Sequence, residues 1–432
     1  MTITRRQALG GAAALAAAPP APGRSLPSRE KFLWGVATAA HQIEGNNVNS
    51  DYWVLENVTE TGFHEPSFDA CDSWDRWPED IALVRAMGLN AYRFSIEWAR
   101  IEPERGYISR AVLDHYRRQI AACREAGIAP IVTFHHFTSP RWVAALGGWE
   151  NPGLPDLFAR YCDVAARALG DMLDWGCTIN EPNGQVNSYI VAGHRPFARE
   201  AVIRAAAAKA VGSDRFSAFF QGDGIKVRDI TIAAHAKGRD AIKAAAPHMR
   251  VGITLALQDL VAGPDGADMY RQLFDEARAP YYAACDHDDF IGVQPYNRLT
   301  TTKTGYVSTP AGDGPEAWRE YSDPGVLAAV IREVHRHCRA PVLITENGIR
   351  TTDETVRITH LTESVAGLQR CRADGIPVLG YIYWSLIDNF EWSSGYVPRF
   401  GLYECDRTTF ARTPKASAAA YRRLVARHRA AT

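Results

Sequence analysis

The chain has 432 residues, a formal net charge of −1, 22% charged and 46% hydrophobic residues, the profile of an ordinary soluble globular protein. So even a charge balance argues against nucleic acid as a partner, because phosphate binding needs a basic surface. The length accommodates two or three average domains or one large α/β barrel.

In chain order, the first segment stands apart. Thr4-Arg5-Arg6-Gln7-Ala8-Leu9-Gly10 leads into an Ala/Gly-rich stretch ending near Ala18, then Pro19 and Pro20. A charged start, a modestly apolar middle and a small-residue exit describe a secretory signal. The paired arginines point to twin-arginine export, with that machinery as a partner and a periplasmic or secreted location. The stretch is too short for a permanent membrane helix, and no later segment has the roughly 18 uninterrupted apolar residues of one, so no membrane anchor is expected. Residues 1–25 are set aside as this signal, and residues 26–432 are expected to form a single domain.

Beyond it, short apolar runs alternate with longer amphipathic stretches. Strands are predicted at 32–37, 91–95, 130–134, 175–179, 251–257, 290–294, 342–345 and 378–384. Helices are predicted at 75–87, 111–126, 155–169, 230–246, 323–339 and 359–374. Gly88-Leu89, Gly127-Ile128 and Gly375-Ile376 read as helix stops that introduce strands. This alternation predicts a parallel sheet, and about eight strands is the number that closes a (β/α)8 TIM barrel. An open doubly wound sheet would carry a Gly-rich phosphate loop after its first strand, and Gly35-Val36-Ala37 is not one. Residues 195–230 and 300–322 read as loop or short-helix insertions.

On a barrel, the C-terminal ends of the strands converge on one pocket. Gln42 and Glu44 follow the first strand, Arg93 lies in the second, and His135 and His136 end the third. Asn180 and Glu181 end the fourth, Tyr296 follows the sixth, Glu346 ends the seventh, and Trp384 through Trp392 follow the eighth. Strands four and seven face each other across the ring, so Glu181 and Glu346 face across the pocket. Two such carboxylates are what glycoside hydrolysis needs, one as nucleophile and one as general acid/base. Either glutamate taken singly could be a salt-bridged loop residue.

Five motifs lie in this order: residues 32–45, 92–101, Thr178-Ile179-Asn180-Glu181-Pro182, Ile344-Thr345-Glu346-Asn347-Gly348, and 383–392 with Gly395-Tyr396 and Arg399-Phe400-Gly401 after it. With them the chain resembles glycoside hydrolase family 1, the β-glucosidase-type enzymes, over essentially its whole length after the leader. The resemblance implies that Glu346 is the nucleophile and Glu181 the acid/base. It implies that Arg93 and Tyr296 hold the nucleophile, with the arginine keeping Glu346 ionised. By the same match Asn180 binds the sugar 2-hydroxyl, and Gln42, His136, Glu391 and Trp392 recognise the other hydroxyls. Trp384 forms the stacking floor and Phe400 closes the site. No metal or organic cofactor is implied.

The chain departs from the family pattern in places. His136-Phe137-Thr138 stands where the family often has His-Trp-Asp, which removes an indole N–H from the sugar. Gln294-Pro295-Tyr296 stands for Asn-Tyr-Tyr, so Gln294 replaces an asparagine. Members acting on phosphorylated sugars carry Ser and Lys where this chain has Glu391-Trp392 and beyond, and an anionic Glu391 would repel a 6-phosphate. Plant thioglucosidases replace the acid/base with Gln, whereas Glu181 is retained.

His41, His135, Glu44 and Glu97 are expected to be supporting rather than sugar-binding residues. His335 and His337, two apart on a predicted helix, do not share a face for a metal. The eight cysteines show no CxxC and no framework spacing, and Cys177 is expected to be a small buried hydrophobe. The expected function is a retaining exo-β-glycosidase, a β-glucosidase foremost, acting on a carbohydrate or glycoside. A transglycosylase using the same residues and a non-catalytic glycan-binding protein are the competing readings.

Overall fold

In the computed structural model, residues 31–196, 199–309 and 322–430 are described. The leader predicted at residues 1–25 lies outside them. Eight parallel strands form a closed barrel: β1 (Leu33–Ala37), β2 (Ala91–Ser95), β3 (Ala129–His135), β4 (Trp175–Asn180), β5 (Arg250–Ala256), β6 (Ile291–Gln294), β7 (Val342–Ile344) and β8 (Val378–Trp384). β1 closes the ring by pairing with β2 on one side and β8 on the other, Gly35 lying opposite both Ala91 and Ile382. All eight predicted strands are present at nearly the predicted bounds.

The period-two alternation of the strands sorts their side chains into two layers. Along β2, Tyr92 and Phe94 pack outward among the helices, while Ala91 joins Leu33, Ile131, Trp175, Leu343 and Leu379 inside the ring. These apolar residues fill the interior toward the strands' N-terminal ends. Polar side chains occupy the opposite end, where Arg93 reaches across to Glu346.

The predicted helices form the outer layer as Ser73–Ala86, Arg110–Glu125, Leu154–Leu169, Gly224–Ala245, Gly325–His337 and Glu354–Ala373. Ser109, Asp223 and Asp353 cap three of their N-termini through side-chain oxygens. A C-terminal helix, Ala416–Ala430, was not among the predicted elements. Its Tyr421 is fully buried, and the phenol donates to the Gly35 carbonyl at 2.8 Å, sealing the β1–β8 seam. No helix among the described residues is long and apolar enough to cross a membrane.

Both segments read as insertions carry structure. The first holds the helix Glu200–Ala210 and then an irregular path that buries Phe216 and Phe219. In the second, the hairpin Arg298–Thr302 and Gly305–Thr309 joins Asp259–Ala262 in a three-stranded sheet on the barrel rim. Only alternate residues of its first strand, Leu299 and Thr301, are buried. Strand propensity there rests on threonines rather than an apolar run, which is why periodicity missed it. Residues 310–321 of that prediction lie outside the described residues.

Candidate active site

A cavity of about 410 Å³ opens at the C-terminal end of the barrel. Gln42, His136, Asn180, Glu181, Tyr296, Glu346, Trp384, Glu391, Trp392 and Phe400 all line it. Arg93 stands behind Glu346 rather than on the cavity wall. The barrel therefore brings together every residue that the sequence assigned to the site.

Glu346 lies two residues past the end of β7 and is almost fully buried. Its Oε1 accepts from Arg93 Nη1 at 2.6 Å and from Gln294 Nε2 at 3.0 Å, and its Oε2 accepts from the Tyr296 hydroxyl at 2.6 Å. Arg93 Nη2 also donates to Asn180 Oδ1 at 2.6 Å, and Gln294 Nε2 does so at 2.8 Å. Gln294 thus spans Glu346 and Asn180 in parallel with the arginine. Thr254 on β5 adds a third donor to Asn180 Oδ1, at 2.9 Å. With that oxygen saturated, the Asn180 amide nitrogen faces His136 Nε2 at 3.2 Å and is the only polar end left for a ligand. Thr254 was not foreseen, because a β-branched residue in a buried strand carries no signal of its own.

Glu181 sits differently. It leaves β4 with φ 48°, a left-handed conformation uncommon for a residue with a side chain. Its backbone N–H donates to the Thr254 carbonyl at 2.8 Å, where the β4–β5 register shifts. Among the described residues its carboxyl accepts no hydrogen bond. Such strain is characteristic of functional positions.

The electrostatics separate the two acids. Burial drives the Glu181 carboxyl well above its ordinary range, the charge of Glu346 drives it further, and Arg93 opposes both. Glu346 is also raised, by burial, against the pull of Arg93 and the hydrogen bonds from Tyr296 and Arg93. Arg93 lowers it, in the direction expected, but burial is the larger cause and the net direction is upward. The order survives, since the donors around Glu346 stabilise its anion and Glu181 has none. Glu391 is also carried well up, first by burial, so its anionic character cannot be taken from sequence. Among the described residues no Lys or Arg lines the cavity, so a sugar phosphate would meet no cation from them on its wall.

Two of the remaining polar groups keep a buried atom with no partner among the described residues. Gln42 Nε2 donates to Asn389 Oδ1 at 2.9 Å and to the Phe390 carbonyl at 2.7 Å, which fixes the amide and leaves the buried Oε1 free. His136 is held neutral by burial and by Arg93, and its Nδ1 has no partner among the described residues. The His136 ring lies nearly parallel to both Trp384 and Trp392, each at 6.0 Å. Trp384 Nε1 reaches Glu391 Oε1 at 3.4 Å, and Tyr296 meets Phe400 edge-on at 5.9 Å.

The other motif residues are clamps. Asn347 donates to the Pro295 carbonyl and accepts from the Tyr381 hydroxyl, each at 2.9 Å. Asn183 ties the loop after β4 to Ala256 of β5 through both its amide atoms, at 2.7 and 2.9 Å. Gly348 is required by close approach, since a Cβ there would lie 2.2 Å from the Trp384 carbonyl oxygen. His41 bonds Glu56 at 2.7 Å and stacks on Trp392 from behind, and His135 bonds Ser139 at 3.0 Å. Glu44 pairs with Arg100 at 2.9 Å, and Glu97 accepts from Thr138 and Asn47. All four are supporting residues, as expected. The eight cysteines are buried and unbridged. Among the described residues no cluster of three or more His, Cys, Asp or Glu is placed to hold a metal ion. Phe137, Gly184, Gln185, Phe220, Ala256 and Gln258 complete the lining. Of these the sequence pointed only to Phe137, as a departure from the family pattern; Gly184, Gln185, Phe220 and Gln258 come from segments whose path no periodicity reveals, and Ala256 ends β5 with no polar signal.

The chain matches the Glycosyl hydrolase family 1 model over residues 25–278 and 281–430. It is 30% identical to Beta-glucosidase A of Thermotoga maritima, over 92% of this chain and 97% of that protein. It is 30% identical to a Beta-glucosidase of an Agrobacterium species, over 91% and 94% respectively. Among solved structures, beta-glycosidase BGL167 aligns with a TM-score of 0.86 at 44% identity, covering 92% of this chain and 96% of that one. The Thermotoga maritima beta-glucosidase in complex with glucoimidazole aligns with a TM-score of 0.78 at 26% identity, covering 92% and 98%. On sequence and on fold, then, this chain belongs to glycosyl hydrolase family 1.

Proposed function

We propose that this protein is a retaining exo-β-glycosidase, and specifically a β-glucosidase, with Glu346 as nucleophile and Glu181 as acid/base. One observation carries the reading: of the three carboxyls on the cavity, Glu181, Glu346 and Glu391, Glu346 is the one held by three side-chain donors that favour its anion. Glu346 attacks the anomeric carbon while Glu181 protonates the departing oxygen. Glu181 then takes a proton from water, which releases the sugar from the covalent glycosyl-enzyme with its configuration kept. The Asn180 amide nitrogen, which has a second N–H beyond its contact with His136, is suited to the 2-hydroxyl, a contact that strengthens in the transition state. Gln42, His136, Glu391 and Trp392 take the other hydroxyls, Trp384 forms the floor and Phe400 the closing edge. The relatives' names support glucose as the sugar.

Proton NMR of the first-formed product from a β-glucoside tests the mechanism. The β-anomer is expected, and release of the α-anomer would show inversion and remove the nucleophile role from Glu346. A transglycosylase would instead give transfer products as its main output at low acceptor concentration.

The leader carries a separate part of the proposal. Arg5 and Arg6 ahead of a short Ala-rich stretch support export by the twin-arginine route to the periplasm or beyond. Replacing both with Lys is expected to trap activity in the cytoplasm, and unchanged export would count against the route.

A further inference from the structure

The segments that follow β7 and β8 both reach the cavity, the first with Glu346 and the second with Phe400. One side chain outside the cavity ties them together. Arg357, near the start of the helix Glu354–Ala373, is fully buried between them. Its Nη1 donates to the Ile349 carbonyl at 3.1 Å, the Phe400 carbonyl at 2.9 Å and the Tyr383 hydroxyl at 3.3 Å. Its Nη2 donates to the Thr351 carbonyl and, at 3.0 Å, to the Arg399 carbonyl. Its Nε donates to Glu354 Oε1 at 2.7 Å. The Tyr383 hydroxyl donates in turn to the same Phe400 carbonyl at 3.1 Å.

Four backbone carbonyls thus converge on one guanidinium. Carbonyls in a loop have no ladder to pair with, and they cost stability when left unpaired away from water. A guanidinium carries five N–H donors in one rigid plane, so it can serve all four at once, which the three donors of a lysine cannot. Glu354 supplies the counter-charge, and its other oxygen accepts from the Ser417 N–H at 2.8 Å, which anchors the assembly to the C-terminal helix. The Ile349 and Thr351 carbonyls belong to the segment that leaves Glu346, and the Arg399 and Phe400 carbonyls to the segment that returns to the cavity after β8. The Phe400 ring, on backbone held this way, meets Tyr296 edge-on at 5.9 Å, and the Tyr296 hydroxyl donates to Glu346 at 2.6 Å.

We infer that Arg357 is a positioning residue for this reaction: by holding the Arg399 and Phe400 carbonyls it sets where the Phe400 ring closes on Tyr296, and so how well the Tyr296 hydroxyl meets Glu346. The inference rests on the β-glycosidase reading above. Its route is mechanical rather than electrostatic. Among the described residues the charged and titratable groups that act on Glu346, or on which it acts, are Arg93, Cys177, Tyr296, Glu181 and Glu391, and Arg357 is not one of them.

Arg357→Lys keeps the charge and gives up donors. In the purified full chain the acid limb of kcat/KM on 4-nitrophenyl β-glucoside should move to higher pH, because a weaker bond from Tyr296 favours the Glu346 anion less. On that limb kcat/KM should fall about fivefold, the worth of one neutral hydrogen bond. A purely structural role would lower the melting temperature and leave the limb in place, and that result overturns the inference. A double-mutant cycle tests the route. Phe400→Ala removes the ring through which Arg357 acts, so adding Arg357→Lys to it should move the limb no further, and a second shift as large as the first overturns the inference. If Arg357→Lys does not fold, Tyr383→Phe takes its place in both measurements. It keeps the guanidinium and deletes the hydroxyl that accepts from Arg357 and donates to the Phe400 carbonyl. The limb should then move the same way by less, and an unmoved limb overturns the inference. A wild-type protein that cleaves no β-glucoside overturns the β-glycosidase reading itself, whereas an active wild type with an unmoved limb in the variants overturns only the role of Arg357.

Discussion

At the end of β7, Glu346 accepts hydrogen bonds from three side chains, one of them a buried arginine. At the end of β4, Glu181 accepts none among the described residues, and its backbone is held in a left-handed turn. The residue type, the sheet and the cavity are shared. Burial raises both carboxyls. The difference comes from the neighbours: an anion at Glu346 is met by Arg93, Tyr296 and Gln294, and that anion in turn disfavours a second one at Glu181. The neighbours thereby favour an anion at Glu346 over one at Glu181, and such a difference is the general way one site runs acid and base chemistry at one pH. Arg93 couples them further, because its other nitrogen holds Asn180, the residue just before Glu181.

The sharpest way to break this comparison is to remove each glutamate in turn. Glu346→Ala is expected to cost about 10⁴-fold or more in kcat, as for other nucleophiles in concerted sites. The space it vacates then admits azide, which should give the α-azide from an activated β-glucoside. Glu181→Ala should spare the first step for a good leaving group, and azide should then intercept the glycosyl-enzyme to give the β-azide. NMR of the two products reads the contrast, and the same anomer from both variants would dissolve it.

Glu181→Gln is milder. It should cost about 10²–10⁴-fold on substrates with poor leaving groups, the usual worth of a general acid. On an activated glycoside it should also flatten the basic limb of kcat/KM against pH, because activity there is lost as Glu181 loses its proton. A basic limb that persists unchanged would assign the acid to another group.

How far the sequence reaches follows the same physics. The strands were legible because a sheet buried on both faces demands unbroken apolar runs such as Val342-Leu343-Ile344. The site residues were legible because polar groups stand where those runs end, as Asn180 and Glu181 do after Ile179. Gln294 was visible as a substitution, but its bridge from Glu346 to Asn180 depends on three strands meeting. Gln185, Phe220 and Gln258 gave no signal, since each lies on a loop whose path is set by clamps such as Asn183 and the Arg278 bond to the Gln258 carbonyl. The net rise of the Glu346 pKa had no sequence signal, because burial depth cannot be read from a strand pattern.

Arg93→Met tests the cation that the two ends share. Cutting one partner from a buried pair costs about 3–5 kcal/mol of stability, although Glu346 can soften that by taking a proton. The acid limb of kcat/KM should move to higher pH, because Glu346 must be ionised to attack and has lost the charge that favours its anion. Urea unfolding and pH-rate profiles measure the two effects. An acid limb that stays in place would mean that Arg93 supports the fold and not the nucleophile.

Tyr296→Phe is the smallest and most selective change. It deletes one hydroxyl, 2.6 Å from Glu346 Oε2, and keeps the ring that meets Phe400 edge-on. The lost bond stabilised the carboxylate and not the acid, so the Glu346 pKa must rise and the acid limb must shift upward in pH. Arg93 and Gln294 still hold Oε1, so the shift should be smaller than in Arg93→Met. A hydrogen bond to a charged group is worth about 1.5–3 kcal/mol, so kcat/KM on the acid side should fall about tenfold or more. The basic limb should not move. Glu181 titrates where Glu346 is already ionised, and the charge it feels there is the same in both proteins. Parallel shifts of both limbs would show that the two carboxyls share one environment, and the division of roles between β4 and β7 would then fail.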